Sequence, residues 1–133
     1  FLGVCVGMQL LARRGNEHGS HRGLGWIAGD VVRLAPGDAM LKVPHMAWSP
    51  VRLTLGGLEH PALKNVEDGG QAYFVHSFQF VPADRSQLLG TCDYGGEVAA
   101  IVGRDNILGV QFHPEKSQGY GLAFLRAFLE WKP

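Results

Sequence analysis

The feature that most constrains this chain is its opening junction. Phe1 to Val4 is a short apolar run that stops at Cys5, and Cys5 is flanked by Gly3 and Gly7. Helix formers follow at once, from Met8 through Leu11, Ala12 and Arg13. The pattern predicts a strand ending at Cys5 and a helix over residues 7–14. A cysteine on so sharp a turn needs small neighbours, because the backbone there is crowded and strained. A helix N-terminus aimed at the sulfur would favour thiolate, and the Val6 N–H would be placed to receive an oxyanion. The same residues also fit a plain reading, in which Cys5 is a small buried hydrophobe beside packing glycines. Residue 1 is Phe, in what reads as the tail of a buried strand. The expectation is therefore that the first strands of the domain precede it.

The rest of the chain alternates extended and turn segments. Val31, Val32 and Leu34 predict a strand closed by Pro36-Gly37-Asp38, and Pro44 and Pro50 keep the segment between them out of helix. Residues 61–66 fit one or two helical turns. Residues 72–80, 88–94, 98–102 and 107–112 are β-branched and aromatic enough for strands, with Gly95-Gly96 and Arg104-Asp105-Asn106 as turns between them. Gly121 to Trp131 places Leu122, Leu125 and Leu129 on one helical face, with Phe124 and Phe128 beside it. Helices mixed with hairpin-linked strands imply an α/β domain with a mixed rather than all-parallel sheet.

A chain of 133 residues fits one domain, and 46% hydrophobic against 18% charged residues is a globular balance. Twelve basic residues match twelve acidic ones, which argues against a nucleic-acid or anionic-membrane partner. No apolar run nears the roughly 20 residues of a spanning helix. Cys5 and Cys92 do not make a disulfide framework, so free thiols and a cytoplasmic setting are expected.

A second chemical signal closes the case for a site. Gly109-Val110-Gln111-Phe112 reads as a strand, His113 sits at its end, and Glu115 follows after Pro114. Alone, these are a surface histidine and an exposed acid. Together with Cys5 they form a nucleophile, a base and a carboxylate to orient it. His18 and His21, three apart in a glycine loop, read as solvated rather than metal-binding, and His45 and His76 as structural or interfacial. Cys92 has no local base and reads as core, and Trp26, Trp48 and Trp131 as packing.

At this point GVCVGMQLL (residues 3–11) resembles the nucleophile motif of class I glutamine amidotransferases, and GVQFHPEKSQ (109–118) resembles their His-Pro-Glu motif. Residues 42–48, 73–78 and 93–95 are similar to segments of the imidazole glycerol phosphate synthase glutaminases. The resemblance implies a flavodoxin-like mixed sheet with flanking helices. It implies that Cys5 attacks the glutamine amide, that His113 is base and then acid, and that Glu115 orients it. It also implies that Gln9 and the backbone at Ser77 and Phe78 hold the substrate, and that ammonia passes to a cyclase subunit in histidine biosynthesis. Pro44, His45, Met46, Trp48 and Lys116 would face that partner. No cofactor or metal is implied. The preceding strands would bring a Gly-rich loop with a second oxyanion contact. Ala47 and Ser49 stand where the family has Gly and Asn, and this bears on partner coupling. Another class I glutaminase, or a docking fragment without activity, is the competing reading.

Overall fold

The computed structural model describes residues 1–133. Its elements are β1 (Leu2–Val4), α1 (Val6–Gln9), β2 (Arg14–Gly15), β3 (His21–Arg22), β4 (Gly29–Arg33), β5 (His45–Leu53), α2 (Leu55–Glu59), β6 (Gly70–His76), β7 (Phe78–Pro82), β8 (Leu88–Asp93), β9 (Glu97–Arg104), β10 (Ile107–Val110) and α3 (Gln118–Glu130). Six strands form one sheet in the order β1-β10-β9-β8-β5-β6, and four form a smaller one, β3-β2-β4-β7. In the large sheet only β1 and β10 run parallel. The sheet is mixed, as expected.

β9 shows why the core has two halves. Its residues 98–103 are all buried, the near-continuous apolar run of a strand covered on both faces. Val98 and Ala100 join a cluster with Phe74, Phe112 and Phe124, roofed by α3. Ala99 and Val102 join Met8, Leu11, Val31 and Phe80, roofed by α1 and the small sheet. The two motifs that carry chemistry therefore sit on adjacent strands whose opposite faces are each packed.

Several elements differ from the sequence reading. The first helix is one turn, Val6–Gln9, and Arg14 is already in a strand. Leu10, Leu11 and Ala12 donate to Val6, Met8 and Gln9 in turns, while Leu10 and Ala12 accept from Leu24 and Gly25 of the glycine loop. Tertiary contacts thus override helix propensity there. Residues 72–80 divide at Ser77 into β6 and β7, which belong to different sheets. α2 was not signalled, since Gly56 and Gly57 disfavour helix; Thr54 caps it by accepting from the Gly57 N–H at 3.1 Å. In α3 the buried face is Gly121, Phe124 and Ala127, while Leu122 and Leu129 remain exposed. Leu125 and Phe128, both partly buried, pack at the edges of that face. No helix is long and apolar enough to cross a membrane.

Candidate active site

Cys5 sits at the end of β1 with φ 52° and ψ −110°, a conformation that non-glycine residues rarely adopt. Its N–H bonds the Val110 carbonyl at 2.8 Å, so the last turn of β1 is pinned to β10. The chain then doubles back as α1, and Met8 and Gln9 donate to the Cys5 carbonyl at 3.0 and 3.2 Å. A Cβ on Gly3 would stand 2.5 Å from the Gly7 oxygen, so that position must be glycine. Gly7 has open space, and the crowding expected around the cysteine lies on the Gly3 side alone. Strain held by surrounding bonds is the expected state of a nucleophile on an elbow.

The electrostatics differ from expectation. Burial raises the Cys5 pKa above the ordinary thiol value, and the nearby Glu115 charge adds to this. The Val6 N–H, the Gln111 amide and Lys116 act in the opposite sense but do not win. A single helical turn has too small a dipole to reverse burial, which corrects the thiolate expectation. Burial thus disfavours the thiolate in the resting site.

β10 runs parallel to β1 in the register Val4↔Val110, and the chain beyond it carries Gln111 and His113. The His113 N–H bonds the Tyr73 carbonyl at 3.0 Å. Pro114–Lys116 then forms a 3-10 turn that brings Glu115 Oε1 to 2.7 Å from His113 Nδ1. Burial opposes ionisation of Glu115, yet its own N–H, the His113 ring and Lys116 together hold its pKa below the usual carboxylate value. With Nδ1 donating to that carboxylate, Nε2 is the nitrogen left to take a proton.

Cys5, Val6, Gln9, Ser77 and Phe78 line one cleft of about 340 Å³, with Glu17, Pro44 and His76 also on its wall. Gln9 Nε2 donates to the Phe78 carbonyl at 3.1 Å and to Gln111 Oε1 at 3.1 Å, which leaves the Gln9 oxygen as its acceptor for a ligand. A neighbouring cavity shares Val6, Gln9 and Glu17 and extends under β2 and β3, but Cys5 is not on its wall.

The chain matches the family described as glutamine amidotransferase class-I over residues 1–130. It belongs to that family. It is 59% identical over 133 residues to the imidazole glycerol phosphate synthase subunit HisH of Zymomonas mobilis, covering 100% of this chain and 60% of that protein. The subunit of the same name from Cereibacter sphaeroides is 53% identical, with coverage of 100% and 61%. A solved protein from Thermoplasma acidophilum superposes with a TM-score of 0.67 at 19% identity, over 96% of this chain and 54% of its own. A solved glutamine amidotransferase gives 0.61 at 18% identity, over 96% and 59%. The chain thus spans about 60% of the length of the curated relatives it matches.

Within this amidotransferase chain the residues expected to face a partner divide. Pro44, Met46 and Trp48 are exposed, but His45 is fully buried and cannot touch a partner. The reason is strand alternation: residues 45–53 are β5 rather than a loop, so Met46 and Trp48 face out while His45 and Ser49 face in. Ala47 pairs with Phe74 as an ordinary strand residue and does not require glycine's positive φ. The Lys116 ammonium lies 6.0 Å from the Tyr73 ring, beside Trp48. Cys92 is buried, and desolvation pushes its thiol up to about 12, consistent with core. His21, at the exposed start of β3, bonds the His18 carbonyl at 3.2 Å.

Two site residues escaped the sequence reading. Gln111, fully buried, reads locally as part of a strand motif, although it is the polar residue in an apolar stretch over 107–112. Glu17 gave no signal in its glycine-rich loop and reaches the cleft only because β2 and β3 fold back beside α1.

Proposed function

We propose that this chain hydrolyses glutamine to glutamate and ammonia through a Cys5 thioester, as part of a single amidotransferase domain in a cytoplasmic imidazole glycerol phosphate synthase. The observation that supports the reading is the strained Cys5 on the wall of a cleft that the hydrogen-bonded Gln9–Phe78 pair also lines.

Each step uses a group already described. His113 Nε2 takes the Cys5 proton, and the sulfur adds to the side-chain carbonyl carbon of glutamine. The Val6 N–H receives the developing oxyanion. The C–N bond then breaks, and the imidazolium returns its proton to the leaving nitrogen, which departs as ammonia. A water gives one proton to His113 and adds to the thioester. The C–S bond breaks, and glutamate and the free thiol are restored. Glu115 keeps the imidazole turned and stabilises its cation. The Gln9 oxygen and Glu17 carboxylate suit the N–H groups of the substrate's amide and α-ammonium. Ammonia would pass to a cyclase subunit docked over Met46, Trp48 and Lys116, forming a heterodimer that makes imidazole glycerol phosphate for histidine biosynthesis. The 59% identity to a relative of that name favours this over another class I glutaminase.

The test combines the full-length protein with the matching cyclase and measures glutamate release and the cyclised product. An electrophilic glutamine analogue, followed by peptide mapping, is expected to label Cys5 and leave Cys92 intact. Labelling at Cys92 alone, or glutamate release that persists in Cys5→Ala, would refute the thioester route. Glutamate release without cyclised product would move the protein to another amidotransferase.

A further inference from the structure

Gln111 follows β10 directly, its N–H bonds the Ala100 carbonyl at 2.9 Å, and its side chain is fully buried. A buried primary amide carries two donors and an acceptor oxygen that must find partners. The oxygen and nitrogen ends of an amide look alike in shape, so their orientation follows from what they face. Here the partners decide it in sequence. The Phe78 carbonyl only accepts, so the Gln9 amide atom 3.1 Å away is nitrogen. The same Nε2 lies 3.1 Å from the Gln111 side chain, and the atom facing it must be the acceptor Oε1. The other end of Gln111, Nε2, is then the atom 3.8 Å from Cys5 Sγ. One backbone carbonyl thus fixes, through two side-chain amides, which end of Gln111 the sulfur meets.

We infer that Gln111 is a catalytic residue that donates an N–H to Cys5 Sγ and stabilises the sulfur whenever it carries charge. The inference rests on the glutaminase reading. There the sulfur is charged twice: as the attacking thiolate, and as the group expelled when water adds to the thioester and the C–S electron pair returns to Sγ. A neutral thiol is a weak acceptor, which suits a separation of 3.8 Å. A thiolate is a charge-assisted acceptor and draws the donor in. Burial strengthens the effect, since water does not compete for the Gln111 amide. The other groups acting on Cys5 are Glu115, which opposes charge on sulfur, and the Val6 N–H and Lys116, which favour it. Glu17 and His76 stand on the same cleft wall.

The experiment follows the thiol rather than turnover. In the full-length protein the rate of Cys5 alkylation by iodoacetamide is measured against pH by peptide mapping, for wild type and for Gln111→Met. The variant keeps the length of the side chain and loses the donor. Its alkylation midpoint is expected to rise by about one pH unit, the scale of one hydrogen bond to a charged group. A folded variant with an unchanged midpoint would overturn the inference. Because a buried substitution can impair folding, a second measurement uses the wild type: the assigned Gln111 side-chain amide proton, followed by NMR, is expected to titrate with the Cys5 midpoint and to stop doing so in Cys5→Ala. An amide signal that is flat across that midpoint would also overturn it. Neither readout needs glutamine. A protein showing both while releasing no glutamate would keep this donor and lose the proposed reaction.

Discussion

His113 Nδ1 and Glu115 Oε1 lie 2.7 Å apart with only Pro114 between them, so the proposed base and its proposed orienting carboxylate come from a single turn. The Glu115 side chain is 57% exposed, and solvent screens part of its charge. An exposed orienter adjusts the base but breaks no bond. Glu115→Gln is therefore expected to retain about 10–100-fold more glutaminase activity than Cys5→Ala or His113→Ala. Steady-state glutamate release checks this, and equal losses in the three variants would remove Glu115 from an orienting role.

The same turn is clamped from behind. A Cβ on Gly121, in the first turns of α3, would stand 1.8 Å from the Pro114 carbonyl oxygen, which is backbone and cannot swing aside. Gly121→Ala must push α3 off the Pro114 turn and shift His113 with it. The expected cost is about 1–3 kcal/mol of stability by urea unfolding. Misplacing the base by roughly 1 Å is expected to slow turnover by a further ~10²-fold. Gly119, two residues earlier, has nothing within 4 Å of its Cβ position, and Gly119→Ala is the control that should leave turnover unchanged.

What could be read from the residues and what could not divide along a physical line. The elbow at Cys5 and the His113–Glu115 turn were legible because each is set by a few consecutive residues. The strands from 88 to 110 were legible because β-branched runs end at Gly95-Gly96 and at Asp105, and all three take positive φ. Met8 to Arg14 misled, since helix formers there bury Leu11 and Ala12 against the small sheet instead of extending a helix. Gln111 and Glu17 were hidden because their importance depends on which distant segments face them, and no local pattern encodes that.

His45 offers a test of the buried polar network. Its Nδ1 lies 3.0 Å from His76 Nε2, its Nε2 lies 2.9 Å from Ser49 Oγ, and the ring stacks on Tyr94 at 4.0 Å. The Phe78 carbonyl, 2.8 Å from His76 Nδ1, requires that nitrogen to be the donor. His76 Nε2 then accepts from His45 Nδ1–H, and both rings are neutral. Burial, aided by His76, lowers the His45 pKa from 6.5 to about 4, and burial lowers His76 as well. Below 6.5 the unfolded chain binds protons that the folded chain refuses. The stability from His45 is complete above pH 6.5 and falls as pH drops toward 4, by up to about 3 kcal/mol. Urea unfolding between pH 7.5 and 5 should show this slope, above the range where carboxylates such as Glu115 protonate. His45→Gln should flatten it, and a wild-type stability constant across that window would contradict the buried neutral pair.

β5 also connects the outward face to the cleft. Met46 and Trp48, 60% and 45% exposed, alternate with His45 and Ser49, which face in. From Ser49 the hydrogen bonds run through His45 and His76 to the Phe78 carbonyl, which also accepts from Gln9. His76 lines the cleft and pairs with His45, so a partner pressing on Met46 and Trp48 would act on the cleft through the pairing of β5 with β6. Glutaminase turnover is therefore expected to rise at least about 10-fold when the cyclase binds, a coupling of roughly 1–2 kcal/mol. Ala47 and Ser49 are compatible with this expectation, since Ala47 keeps strand geometry and the Ser49 hydroxyl joins the network. Trp48→Ala should leave the rate without partner unchanged and reduce the activation, while Ser49→Ala should reduce activation with docking affinity intact. Titrating each variant with cyclase and following glutamate release separates the two. Equal rates with and without cyclase in the wild type would show that this face does not report docking, and full activation in Ser49→Ala would exclude the histidine pair as its route.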